Sequence, residues 1–341
     1  MAKRKLTKQQ TWRIARIQDE KAQRADKKEA RIAEQLNAGD LGDETHGLVI
    51  AHFGTQVEVE DEQRQRYRCF LRANLGSLVT GDHVVFRPGQ EQNGVQTGVV
   101  ETVLERNSEL SRPNPYNEIK PVAANIDVIL LVIAPEPYAH ANLIDRYLVA
   151  AENCHIEPII LLNKIDLVND DNSEHLADLL NRYSYLGYRI LQVSAHDPDS
   201  LGELKEFLND QVSVFVGQSG VGKSSLIATL LPGEDLRIGA LSEHTRKGRH
   251  TTTTARLYHF PAGGDLIDSP GIREFGLWHM SEDDVLYGFR ELRAVAGHCR
   301  FRDCHHEQEP GCALIEAVEE GIISEARFSS YKRILETLSE L

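Results

Sequence analysis

The sequence lacks what a secreted or membrane-spanning chain needs. No run of about 18 apolar residues occurs, so no helix is expected to cross a bilayer. The first residues are basic and polar, without the apolar stretch of a secretory signal. Cysteine is sparse and odd in number: there are five, and three of them crowd into residues 299–312. That argues against a disulfide framework and for a reducing, cytoplasmic setting with a metal site. Positive charge is also short, with 38 Lys and Arg against 52 Asp and Glu, a formal net charge of −14. The shortage is uneven. Residues 1–35 carry 11 Lys/Arg and 5 Asp/Glu, a balance of +6, which leaves the remainder at −20. An acidic body with a basic arm suits an anionic partner, most simply nucleic acid. A solvated basic tail explains the same charges equally well.

What is present is an ordinary globular composition, 41% hydrophobic and 26% charged, long enough for two or three domains. Its strongest signal is a phosphate loop. Val212 to Val216 reads as a short buried strand. Gly217, Gly220, Gly222, Lys223 and Ser224 then satisfy GxxxxGK[ST], and Leu226, Ile227, Leu230 and Leu231 recur at helical spacing. Strand, glycine-rich loop and helix in that order give the motif its required context. The glycines let backbone N–H groups surround phosphate oxygens, and the helix N-terminus adds a positive dipole end. Lys223 is expected to reach the β- and γ-phosphates and Ser224 to ligate Mg²⁺.

Residues 1–40 read as a basic extension, rich in Lys, Arg, Glu and Gln, ordered at most on a partner. From about 41 to 110, short strands alternate with turn residues, which predicts a five-stranded OB-type barrel. Tyr67, Arg68, Phe70, Arg72 and Arg87 offer stacking and phosphate contacts to RNA there, although Tyr67 and Phe70 fit a plain core–surface alternation as well. Arg112-Pro113-Asn114-Pro115 reads as a linker. Between 111 and 277, apolar runs such as 127–134 and 158–162 alternate with helical stretches, which predicts a three-layer α/β domain. Residues 278–341 read as helical around the cysteine cluster.

Asn163-Lys164-Ile165-Asp166 follows a buried strand, where ligand loops lie in such sheets. A carboxylate at Asp166 can accept from guanine N1–H and the 2-amino group, and adenine would leave it unpaired. Asn163 would brace the neighbouring loops and the Lys164 stem would pack on the base. Ser194-Ala195 ends the next strand, where a backbone N–H is within reach of guanine O6. Asp268 suits a Mg²⁺-holding role, Gly271 can turn its N–H to a γ-phosphate, and Thr252 or Thr253 is the expected switch threonine. Cys299, Cys304, His306 and Cys312 form a Cys₃His set with no open position, as structural zinc requires. His298 and His305 are neighbouring competitors, and Cys69 and Cys154 read as core residues.

These elements are those of translation-factor-related GTPases in shuffled order, with the base-reading segments ahead of the phosphate loop. With a barrel before and a Cys/His cluster after, the chain over about 40–320 resembles the ribosome small-subunit-dependent GTPase A, or RsgA/YjeQ, family of circularly permuted GTPases. The specific pieces are 217–225, 248–253, 268–273 and the cysteine cluster. The resemblance implies that Gly217, Gln218, Ser219, Gly220, Val221, Gly222, Lys223, Ser224 and Ser225 all border the nucleotide. It implies GTP hydrolysis to GDP, one structural zinc, and a monomer acting in late maturation of the small ribosomal subunit. Its partners would be that subunit, its rRNA and other assembly factors, and no membrane. Many GTPases orient the attacking water with a Gln just after Asp-x-x-Gly; here that residue is Ile272, which cannot. The resemblance puts His250 in that role, with a solvated loop residue as the bland alternative and Arg249 or Arg273 as charge stabilisers. A GTP-sensing RNA-binding scaffold with little turnover is the rival function.

Overall fold

The computed structural model describes residues 41–72, 75–91, 94–113, 118–233, 255–269, 272 and 280–339. It divides into two compact units, one ending at Leu78 and resuming over His83–Leu104, the other comprising Val79–Asp82 and everything from Glu105.

The first unit is a closed barrel. Its strands are β1 (Thr45–His52), β2 (Gln56–Glu60), β3 (Arg66–Leu71), β4 (His83–Pro88) and β5 (Thr97–Val103). They pair in the order β1-β2-β3-β5-β4, and β4 returns to β1. Closure removes the edges that an open sheet of this size would expose. The period-2 pattern decides which side chains fill it. Val57 and Val59, Tyr67 and Cys69, and Val84 and Phe86 point inward, whereas Arg66 and Arg68 lie outside. Tyr67 is therefore not a stacking platform for RNA. Its ring packs 5.0 Å from Phe86 and its hydroxyl donates to Asp61 Oδ2 at 3.1 Å. Burial pushes the Cys69 thiol far above its ordinary pKa, so it stays protonated and apolar in character.

The second unit opens with a ribbon of β6 (Glu109–Pro113) and β7 (Ile119–Ala124) where the sequence predicts a linker. Pro113 and Pro115 prompted the linker expectation. Proline loses no ladder bond on the free edge of a two-stranded ribbon, so it does not exclude strand there.

The central sheet comprises β8 (Val128–Ile133), β9 (Glu157–Leu162), β10 (Ile190–Gln192), β11 (Val212–Val216), β12 (Arg256–His259) and β13 (Asp265–Asp268). Within this unit the order is β10-β9-β8-β11-β13-β12, all parallel except β12. All six residues of β8 are buried, as a strand covered on both faces demands. The helices are α1 (Ala141–Asn153), α2 (Ser173–Tyr185), α3 (Gly202–Leu208) and α4 (Lys223–Leu230). β8 is followed in sequence by β9 on one side and β11 by β12 and β13 on the other, so the strand order reverses direction between β8 and β11. A ligand crevice belongs beyond the carboxyl ends of those two strands.

The C-terminal helices are α5 (Glu282–Gly288), α6 (Arg290–Val295), α7 (Ala313–Glu319) and α8 (Glu325–Ser339). Ser281 and Asp284 form a capping box that starts α5. Gly288 is required where α5 meets α1, because a Cβ there would lie 2.6 Å from Val149 Cγ1. Arg327 of α8 is 2% exposed, yet it is charged. It pairs with Asp145 of α1 and, at 2.5 Å, with Glu291 of α6, and it stacks over Phe289 at 4.3 Å. Burial opposes its charge, but the two carboxylates hold its pKa above the ordinary value. Among the described residues no helix is long and apolar enough to cross a membrane.

Candidate functional site

The carboxyl ends of β8, β9, β10, β11 and β13 share one edge of the sheet, and the candidate residues gather there. Gly217 leaves β11 with φ +132°, and a Cβ on it would sit 2.3 Å from Val132 O of β8. Gly222 has φ +91°, and its Cβ would meet Asn163 Nδ2 at 2.3 Å. The two glycines are therefore obligatory for separate reasons: one lets the loop pass the neighbouring strand, the other lets Asn163 approach. Val221 is buried and anchors the loop, while Ser219, Gly220, Ser224 and Ser225 are exposed along it. Lys223 begins α4 and donates from Nζ to Gly217 O at 2.6 Å and Gln218 O at 2.7 Å. Its ammonium thus lies folded over the loop, beside the first N–H groups of the helix, where an anion is favoured.

The 163–166 segment comes earlier in the chain but meets this loop directly. Asn163 is buried and donates from Nδ2 to Val221 O at 2.8 Å. Lys164 holds a left-handed conformation (φ 60°) and donates from Nζ to Gly220 O at 2.7 Å and Glu136 O at 2.9 Å. Asp166 is exposed, and its Oδ1 accepts a hydrogen bond from Ser194 Oγ. That bond is the main reason its carboxyl stays below the ordinary carboxylate range. An ionised, oriented acceptor beside a phosphate cradle is what guanine recognition needs. Ser194 N–H is committed to Ser200 Oγ at 2.9 Å, and Ser194 Oγ also accepts from His196 N–H at 3.2 Å. Ala195 is half-buried beside them.

Asp268 ends β13, two strands from β8, and is half-buried. Ile272 is buried at 1% exposure, with its N–H held by Ser269 Oγ at 3.1 Å. A side chain turned inward cannot place a water. Thr252, Thr253, His250 and Gly271 lie outside the described residues, as do residues 1–40.

The second cluster lies between α6 and α7. One ligand atom from each of Cys299, Cys304, His306 and Cys312 falls within 4.8 Å of all the others. His306 Nδ1 is 3.6 Å from Cys299 Sγ and 3.4 Å from Cys312 Sγ. Tetrahedral ligands at zinc bond lengths sit about 3.4–3.8 Å apart, so the set fits zinc with no position left over. His298 and His305 are exposed and outside the cluster. Sequence reading missed Glu309, whose carboxylate accepts N–H bonds from His305, Glu307 and Gln308 at 2.9–3.1 Å and is held at a pKa of about 2. It shapes the loop that presents His306. A lone Glu in a charged stretch carries no pattern that reveals this.

Also missed was the segment Glu136–Tyr138 after β8. Gln218 Nε2 donates to Pro137 O at 2.9 Å and to Tyr138 O at 3.3 Å, so its side chain turns to this segment. A polar turn closing a buried strand was the available signal.

Comparison with known proteins agrees with this geometry. The family model described as RsgA GTPase matches residues 103–278. Proteins named small ribosomal subunit biogenesis GTPase RsgA from Ectopseudomonas mendocina and Pseudomonas aeruginosa are 59% and 58% identical, each covering 100% of this chain and 99% of their own. The crystal structure of YjeQ from Thermotoga maritima aligns with TM-score 0.71 at 33% identity, over 87% of this chain and 99% of that one. The structure of YloQ, described as a circularly permuted GTPase, aligns with TM-score 0.68 at 29% identity, over 87% and 96%. The chain is therefore a GTP hydrolase of circularly permuted order and belongs to the RsgA GTPase family.

Proposed function

We propose that this GTPase binds the small ribosomal subunit in the cytoplasm, acts late in its maturation, and leaves on hydrolysis. The observation that carries the nucleotide half of this reading is the direct union of clamp and cradle, Asn163 to Val221 and Lys164 to Gly220. In this reading Asp166 accepts from guanine N1–H and the 2-amino group, and Ala195 N–H donates to O6. The 217–225 loop wraps the phosphates. Ser224, Asp268 and Thr252 or Thr253 hold Mg²⁺, and Gly271 addresses the γ-phosphate. The buried Ile272 supports giving the water to another residue, and His250 is our choice. One structural zinc at Cys299, Cys304, His306 and Cys312 holds the helical part beyond 278. The names of the relatives support the ribosomal half. The barrel at 41–110 offers Arg68 as an exposed cation for rRNA, and Arg72, also exposed but paired with Glu101 at 2.5 Å, with residues 1–40 as a basic arm and 111–277 as the GTPase domain. The protein would work as a monomer, and other assembly factors would meet it on the subunit.

The test is GTP hydrolysis by the full chain, alone and with isolated small or large subunits. Turnover should rise with the small subunit and not with the large. Equal turnover in all three conditions would overturn the ribosomal half while leaving nucleotide binding standing.

A further inference from the structure

Three consecutive carbonyls after β8 accept hydrogen bonds from the nucleotide site. Glu136 O accepts from Lys164 Nζ at 2.9 Å, Pro137 O from Gln218 Nε2 at 2.9 Å, and Tyr138 O from the same nitrogen at 3.3 Å. A Cβ on Gly220 would rest 3.5 Å from the Pro137 ring, so the strap runs close beside the loop. Clamp and cradle are therefore both fastened to one short segment.

That segment runs straight into α1, which begins at Ala141. Four polar residues of α1 hold the C-terminal helices. Asn142 Nδ2 donates to Ser330 Oγ at 3.0 Å, and Asp145 pairs with Arg327. Glu152 pairs with Arg290 at 2.5 Å and Arg293 at 3.3 Å, and Asn153 Nδ2 donates to Asp284 O at 2.8 Å. Gln218 is 76 residues from Asn142 in sequence, yet strap and helix join them through packed, hydrogen-bonded structure.

We infer that Gln218 is a positioning residue that fastens the phosphate loop to the 136–138 strap, and that through strap and α1 nucleotide occupancy and the packing of the C-terminal helices stabilise one another. This rests on the guanine-nucleotide reading above. The physical basis is shared order. A nucleotide that immobilises the loop also immobilises what the loop is fastened to, and the gain is reciprocal. The amide is suited to the task because it donates two N–H bonds to carbonyls without bringing charge to the cradle.

The experiment uses the full chain, fluorescent GDP titration and amide hydrogen exchange. In the natural protein GDP should slow exchange in 325–339. Gln218→Met keeps volume and neutrality but cannot donate. It should weaken GDP binding by about fivefold or more and abolish the GDP-dependent slowing in 325–339. Asn142→Ala, which lies outside the pocket, should weaken GDP binding in the same direction. Exchange in 325–339 indifferent to GDP, slowing that survives Gln218→Met at saturating GDP, or a GDP affinity untouched by Asn142→Ala would each overturn the inference. A natural chain that fails to bind GDP is seen in the titration itself and overturns the nucleotide reading along with it.

Discussion

Asp166, the proposed guanine acceptor, shows how one hydroxyl sets a carboxylate. Its carboxylate is exposed, so water screens the surrounding charges, yet Ser194 Oγ still lowers its pKa. The folded value lies below the unfolded one. The ionised acceptor is thus present above the ordinary carboxylate range and is lost only as pH falls through the lower folded pKa. Ser194→Ala removes the largest lowering influence. The acid loss of GDP affinity should then begin at higher pH than in the natural protein, which a GDP titration from pH 3 to 6 would show. The residue types of the proposed site were legible because guanine calls for a carboxylate and a phosphate loop for glycine. The roles of Ser200, Glu309 and the Gln218 side chain were not. Each works through a single hydrogen-bond geometry that no spacing rule encodes.

Elements were legible where burial is two-sided or periodic. The apolar runs of β8 and β9 and the helical spacing of α4 locate them within a residue or two. The β6–β7 ribbon was not legible, because its prolines imitate a linker and its edges impose no pattern. Nor was the tie between α1 and α8. It rests on buried charge, which sequence reading places on the surface by default. Removing one partner there leaves another stranded. Arg327→Ala should cost about 3–5 kcal/mol in urea unfolding, because Asp145 would remain buried without a countercharge, holding only its hydrogen bond from the Tyr183 hydroxyl. Arg327→Met fills the space but strands the same carboxylate, so the double variant Arg327→Met/Asp145→Leu should recover much of the loss.

Across the chain, order in sequence and order in space disagree, and function follows space. The clamp at 163–166 and the cradle at 217–224 meet on one sheet edge although the clamp is made first. The Cys₃His set, our proposed zinc site, is gathered over a shorter span, from 14 consecutive positions. Elemental analysis should find one zinc per chain. Cys312→Ser, at the buried cysteine of the proposed site, should lose the metal and lower the thermal midpoint. The union of clamp and cradle around a guanine nucleotide is tested most directly by competition of GDP, ADP and xanthosine diphosphate against a fluorescent nucleotide, on the natural chain and on Asp166→Asn. The carboxylate pairs with donors on guanine, whereas an amide can offer its own N–H to the xanthine 2-oxygen. The natural chain should take GDP and reject ADP by a factor on the order of 10⁴, and Asp166→Asn should exchange GDP for xanthosine diphosphate. ADP competing as well as GDP, or Asp166→Asn keeping its preference for GDP, would contradict the account.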